Sequence, residues 1–231
     1  MERKIITTSD GSKTIHLPEW DEQYHSKHGA IQEANHVFIK HGLHHYCHPE
    51  ADSKSNKSIS ILEIGFGTGL NAFITFLESK KLNLKINYVG VEAFPVSMDE
   101  VSELDYPLQL SVKDEATNFN KLHEVSWEES YIISEEFELI KRKQDFSKIS
   151  DLDSFQLIYF DAFGARVQPE LWTETIFQIM YNALKLNGVL VTYSAKGSVR
   201  RAMQSVGFTV ERLPGPPGKR EMLRATKNEI I

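Results

Sequence analysis

Ile59-Ser-Ile-Leu-Glu-Ile-Gly-Phe-Gly-Thr-Gly-Leu-Asn71 decides how this chain folds. The segment Ile59 to Ile64 is an apolar run of strand length, as a buried strand requires. Three glycines follow at alternate positions, Gly65, Gly67 and Gly69, and from Leu70 to Leu77 the apolar spacing becomes helical. Strand, glycine turn and helix in that order present backbone N–H groups and a positive helix end to a ligand. Glycine also lets the backbone come close to it. A dinucleotide fingerprint is spaced G-x-G-x-x-G. The spacing here is Glu63-x-Gly65-x-Gly67-x-Gly69, with an acid two residues before the first glycine.

That spacing resembles the S-adenosylmethionine loop of class I methyltransferases rather than an NAD loop. The rest of the chain repeats the alternation of strand and helix. Strands are predicted at Ile86–Val91, Phe137–Ile140, Phe155–Phe160 and Gly188–Tyr193, with a closing pair at Phe208–Arg212 and Glu221–Ala225. Helices are predicted at Val96–Leu104 behind Pro95, from Pro169 to about Leu184, and over Ser198–Ser205 closed by Gly207. Residues 105–136 are read as helical. Such alternation gives a parallel sheet covered by helices on both faces. The last two strands have no helix between them, so one strand runs antiparallel. The expected fold is α/β and Rossmann-like: a mostly parallel, seven-stranded sheet with one antiparallel strand. Ahead of it, residues 3–17 read as a hairpin turned by Ser9-Asp10-Gly11-Ser12. Ala30–His41 reads as a helix with Ile31, Ala34, Val37 and Phe38 on one side, and Pro49–Lys57 as a polar loop. Residues 1–57 are thus an extension packed on a core domain spanning 58–231.

Composition sets the bounds. The chain has 231 residues, 41% hydrophobic and 25% charged, which is ordinary for a globular domain. No apolar run approaches the ~20 residues of a membrane span, and the N-terminus lacks an apolar signal region. A single cysteine, Cys47, excludes an internal disulfide framework and suits the cytoplasm. Cys47 lies near His41, His44, His45 and His48, but metal sites show paired, spaced ligands, so a histidine-rich polar linker is the better reading and no metal is expected. Net charge is −6 and unevenly spread: Glu92 to Asp161 holds 17 acids against 6 Lys/Arg, and Lys185 to the end holds 9 Lys/Arg against 3 acids. The basic tail is compatible with nucleic-acid phosphates or with a solvated face.

In open α/β sheets, ligands bind beyond the carboxyl ends of the strands. Four acids fall there: Glu63, Glu92, Asp145 and Asp161. Glu63 can pair with the methionine ammonium group or brace the loop. Glu92 can accept two hydrogen bonds from a ribose diol, and its charge opposes a ribose phosphate. Asp145 can accept from the adenine amino group, and Asp161 ends its strand beside the transferred methyl group. Gly65, Gly67, Gly69 and Asn71 complete the cofactor set. In Phe160-Asp-Ala-Phe-Gly-Ala-Arg166, Asp161 can orient an amine nucleophile and take its proton, while Phe163 stacks a planar ring or packs the loop.

Several segments carry a narrower resemblance. They are Leu62-Glu-Ile-Gly-Phe-Gly-Thr-Gly-Leu-Asn71, Asp161-Ala-Phe163 with Gln168-Pro-Glu-Leu-Trp172, Thr192-Tyr-Ser-Ala-Lys-Gly-Ser-Val-Arg-Arg201, and Gly218-Lys-Arg-Glu-Met-Leu223. Asp21-Glu-Gln-Tyr-His-Ser-Lys-His-Gly29 with Glu33 and Val37-Phe38 matches too. Together they resemble the stand-alone MnmD methyltransferases and the methyltransferase domain of bifunctional MnmC, although Ala165 stands where many relatives have proline. The resemblance implies methylation of the aminomethyl group on a tRNA wobble uridine, converting 5-aminomethyl-2-thiouridine to 5-methylaminomethyl-2-thiouridine. It implies S-adenosyl-L-methionine as cofactor and the tRNA anticodon arm as partner. With the chain ending at Ile231, neither the flavin-dependent oxidase domain nor FAD is expected. Tyr193 and Trp172 are candidates to stack a splayed base, Trp172 being equally a core residue. Lys196, Arg200, Arg201, Lys219 and Arg220 are candidates for phosphates or for a solvated face. Competing readings are an aminopropyltransferase or small-molecule amine methyltransferase on the same fold, and a non-catalytic RNA-binding module.

Overall fold

The central strands are apolar almost without interruption because both of their faces are covered. In the computed structural model, which describes residues 2–47 and 58–229, they are β4 (Ser58–Ile64), β5 (Lys85–Val91), β7 (Phe137–Arg142), β8 (Phe155–Phe160) and β9 (Leu184–Thr192). All five run parallel. β11 (Glu221–Thr226) pairs antiparallel with β9, and β10 (Thr209–Pro214) with β11. The seven-stranded arrangement expected from the sequence is therefore present, in the order β10-β11-β9-β8-β4-β5-β7. An eighth strand, β6 (Ser130–Ser134), adds an antiparallel edge beside β7. It falls where helices alone were expected. Its two apolar residues Ile132 and Ile133 sit among acids, and its register with β7 is interrupted after Ile132, so it shows little alternation to read.

Side chains alternate across the sheet and divide the core in two. Ile61, Tyr88, Leu139 and Tyr159 meet Phe38, Phe73, Phe119 and Leu122 on one face. Leu62, Ile64, Val89 and Phe160 meet Phe177, Met180, Val199 and Met203 on the other. The helix Leu70–Leu82 is buried on nearly every side of its first two turns, including Ala72, Phe73, Ile74 and Phe76. Each such phenylalanine contributes roughly 2–3 kcal/mol by leaving water.

The N-terminal hairpin forms as expected, from β1 (Lys4–Thr7) and β2 (Lys13–Leu17). A two-residue strand, β3 (Glu22–Gln23), adds to it. The following helix begins at Ala30–Ala34, continues through a wide, π-type stretch over Asn35–Leu43 and ends in His44–Tyr46, beyond the predicted end at His41. It lies directly on β8 and β9: a Cβ on Gly42 would sit 3.0 Å from Val191 Cγ2 and 3.2 Å from the Tyr159 ring. Pro49–Lys57 and His48 lie outside the described residues.

The helix predicted from Pro169 to Leu184 is two elements. A single turn, Pro169–Trp172, stops at extended Thr173, whose hydroxyl caps a second helix, Glu174–Ala183. Leu184 then enters β9 at once, paired with Phe155.

Candidate active site

The loops after β4, β5, β7, β8 and β9 converge at one end of the sheet and line a cavity of about 1220 Å³. That exceeds the 300–1,000 Å³ typical of a small-molecule site and leaves room for a cofactor and a second group. The hairpin, residues 20–28 and Lys219 close the opposite side.

One half of the cavity is lined by the glycine turn, Glu92 and Asp145. Gly65, Gly67 and Gly69 have φ of 87°, 47° and 70°. At Gly65 a Cβ would lie 2.8 Å from the Asp161 carbonyl oxygen, so this turn passes the next loop too closely for any side chain. Gly67 N–H donates to Glu92 Oε2 (3.0 Å) and Phe94 N–H to Glu92 Oε1 (2.9 Å). The carboxylate is thereby held between two loops, with a lone pair on each oxygen for a diol. Asp145 follows β7 and lines the wall. The Ser147 hydroxyl and N–H both donate to its Oδ1 (2.6 and 2.8 Å) and hold its carboxyl below the usual range, leaving Oδ2 for a ligand donor. A glycine cradle, a braced diol acceptor and a free amine acceptor together fit S-adenosyl-L-methionine.

The other half gathers aromatic rings around one acid. Asp161 directly follows β8 and lines the cavity; its Oδ2 accepts from Asn71 Nδ2 at 2.8 Å. Burial, reinforced by the charge of Glu33, pushes its pKa up from 3.8 to about 7, against the Asn71 bond and Lys219. Phe163 packs edge-on against Trp20 (5.7 Å) and Tyr24 (5.0 Å). Tyr193 donates to the Ala162 carbonyl at 2.8 Å, and Lys219 Nζ sits 3.8 Å from the centre of its ring. Lys219 also pairs with the buried Glu33 carboxylate, which accepts from Ser26 N–H at 2.8 Å. His25 bonds Thr68 Oγ1 through Nε2 (2.7 Å), and burial lowers its pKa to about 4.

Of the residues singled out from sequence, Gly65, Gly67, Glu92, Asp145, Asp161, Phe163, Tyr193 and Lys219 line this cavity. Glu63, Gly69 and Asn71 stand behind its wall, and Lys196, Arg200, Arg201 and Arg220 lie outside it. Lys196, Arg201 and Arg220 are exposed and Arg200 is half-buried. Lys219 is turned inward to Glu33 and Tyr193 rather than left on the surface. Trp172 is a core residue, 5% exposed against Phe160 and Phe177, and its Nε1 donates to the Phe163 carbonyl at 2.7 Å. Not singled out were Arg3, Trp20, Tyr24 and His25, which close the cavity from the N-terminal segment. The cluster Tyr24-His25 within Asp21–Gly29 was the only signal, and no spacing tied it to the glycine turn. Among the described residues no group of three His, Cys, Asp or Glu is placed to hold a metal, and no helix is long and apolar enough to cross a membrane.

The comparisons with known proteins agree with this geometry. Two relatives share the name tRNA 5-methylaminomethyl-2-thiouridine biosynthesis bifunctional protein MnmC. The protein from Leptospira borgpetersenii serovar Hardjo-bovis (strain JB197) is 29% identical over 217 residues, covering 88% of this chain and 32% of its own length. That from Hydrogenovibrio crunogenus is 27% identical over 233 residues, covering 95% of this chain and 33% of its own. The chain thus spans about a third of these relatives. The crystal structure of MNMC2 from Aquifex aeolicus matches 99% of this chain and 72% of that one, with a TM-score of 0.73 at 24% identity. Spermidine synthase from Thermotoga maritima shares the fold at a TM-score of 0.57 and 14% identity, over 98% of this chain and 69% of that one. A family model described as S-adenosyl-L-methionine-dependent methyltransferase matches residues 113–228, half of the sequence. The strand-end cavity and this match lead to one conclusion: the chain belongs to the S-adenosyl-L-methionine-dependent methyltransferases.

Proposed function

We propose that the chain methylates the aminomethyl nitrogen of 5-aminomethyl-(2-thio)uridine at the wobble position of tRNA, giving 5-methylaminomethyl-2-thiouridine. The observation that carries this reading is Asp161, an acid poised near neutrality and walled by Phe163 and Tyr193. The names of the relatives support the tRNA assignment.

When bound, S-adenosyl-L-methionine supplies a methyl group on a positively charged sulfur. In this reading Glu92 holds the ribose diol, Asp145 accepts from the adenine amino group, and the turn Gly65–Gly69 admits the methionine end. Phe163 and Tyr193 take the splayed base between them. Asp161 orients the aminomethyl nitrogen in line with the methyl group and takes the proton that the nitrogen sheds. An acid with a pKa near 7 suits that task, because it is ionised at working pH yet basic enough to accept. The exposed Lys196, Arg201 and Arg220, with Arg200, are assigned to anticodon-arm phosphates. The reading carries a cytoplasmic location with it.

Incubation with labelled S-adenosyl-L-methionine and tRNA lacking the final methyl group tests it. Nucleoside analysis should find label in 5-methylaminomethyl-2-thiouridine. Label on free amines with none on tRNA would overturn the assignment and favour a small-molecule amine substrate.

A further inference from the structure

Behind the cavity wall lies a set of polar atoms with no partner. Glu63 is completely buried, and among the described residues neither of its carboxyl oxygens meets a partner at hydrogen-bonding geometry, although the polar ends of Asn71 and Tyr88 face it. The Asn71 Oδ1 and the Tyr88 hydroxyl are buried and unpartnered as well. These are not scattered defects. Glu63 pairs with Tyr159 across β4 and β8, and Tyr88 pairs with Ile61 two residues away on the same face of β4. Asn71 reaches them from the first turn of the helix above that face, and both Asn71 and Tyr88 face the Glu63 carboxyl. The charged groups that face Glu63 are Asp161 and Glu92, both acids; Tyr88 and Tyr159 stay protonated by burial.

An ionised carboxylate in that place would be buried beside two acids with no cation and only the Tyr88 hydroxyl to donate to it, which favours the neutral form. A protonated one completes every unpartnered atom. Its O–H can donate to Asn71 Oδ1 and its carbonyl oxygen can accept from Tyr88. The Asn71 amide then has one orientation, with Nδ2 toward Asp161, where the 2.8 Å bond to Oδ2 is found.

We propose that Glu63 is a neutral carboxylic acid in the native protein, and that its proton, donated to Asn71 Oδ1, fixes the Asn71 amide and through it the Asp161 carboxyl. Glu63 is a positioning residue: it touches neither cofactor nor substrate. The proposal deepens the methyl-transfer reading, since Asp161 is the acid it serves, but it makes demands that need no substrate. It also sets aside the alternative in which the acid before the glycine turn pairs with the methionine ammonium group.

Three measurements on the whole chain test it. Infrared difference spectroscopy at pH 7.5 between wild type and E63Q should show a protonated-carboxyl C=O stretch that E63Q lacks. The Asp161 carboxyl carbon, assigned by its disappearance in D161N, should titrate in E63Q near the wild-type midpoint, because glutamine still donates to Asn71 and accepts from Tyr88. In E63L, with no donor to Asn71, the amide is free to turn its oxygen to Asp161, and the midpoint should move upward. Calorimetry with S-adenosyl-L-methionine should give E63Q an affinity within about threefold of wild type. A missing C=O band, or a cofactor affinity reduced tenfold or more in E63Q as loss of an ammonium partner would cause, overturns the proposal. If E63L does not fold, the band and the E63Q titration still decide it. None of these readouts depends on tRNA, so the proposal and the substrate assignment fail separately.

Discussion

Replacing Asp161 by asparagine should damage activity and improve stability, and the second effect should depend on pH as it does for an acid whose charged form the fold disfavours. In the folded chain the carboxyl pKa is raised from 3.8 to about 7, chiefly because burial penalises its charged form. The native state therefore holds the proton more tightly than the unfolded chain does. Below about pH 3 the group is protonated in both states and contributes nothing. Between pH 4 and 7 the unfolded chain ionises first, so stability falls as pH rises, and above 7 the full penalty stands. The displacement from 3.8 to about 7 corresponds to about 4 kcal/mol. D161N removes the ionisable group but keeps an oxygen to accept from Asn71, so its own penalties are independent of pH. Urea unfolding of both proteins should show the difference, D161N minus wild type, growing by as much as ~3 kcal/mol from pH 4.5 to pH 8.5. Methyl transfer by D161N should fall by roughly 10²–10⁴-fold, the share of a positioned base. In the wild type, the rate should lose about tenfold for each pH unit below 7. A stability difference that stays constant across that pH range would refute the reasoning, because Asp161 would then ionise in the fold as freely as in water.

Other substitutions probe separate parts of the site. G65A should abolish cofactor binding by calorimetry, since the methyl group meets the Asp161 carbonyl at 2.8 Å in a backbone conformation already at φ 87°; measurable affinity at wild-type strength would mean the turn has more room than described. E92Q should weaken S-adenosyl-L-methionine binding about tenfold to a hundredfold, as expected for losing charge-assisted bonds worth roughly 1.5–3 kcal/mol. K219M leaves the buried Glu33 carboxylate without its cation and should cost about 1–3 kcal/mol in urea unfolding. Its tRNA affinity should keep the wild-type salt slope, whereas R201E or R220E should flatten it by about one or more; a flattened slope in K219M would return Lys219 to the phosphate footprint.

What the sequence determined by itself follows from local rules. Short apolar runs such as Ile59–Ile64 and Phe155–Phe160, alternating with helical patterns, read as strands of a parallel sheet, so the parallel core and the glycine turn were legible, and so was the row of acids that the topology sets at the strand ends. Glu92, Asp145 and Asp161 needed no coordinates to be gathered, because the fold sends every carboxyl end to the same rim. Elements that owe their form to neighbours were not legible: β6 exists because β7 offers an edge, and the break at Thr173 because a threonine hydroxyl caps a new helix there. Charge was the poorest guide, since a lysine's sequence position does not reveal where its flexible stem leads. Lys219 read like its neighbour Arg220, yet one closes a cavity on Glu33 and the other faces solvent. Glu63 shows the same division. Its place before the glycines marks a methyltransferase turn, but only the packed structure shows the carboxyl fully buried, facing Asn71 and Tyr88 with the charges of Asp161 and Glu92 nearby.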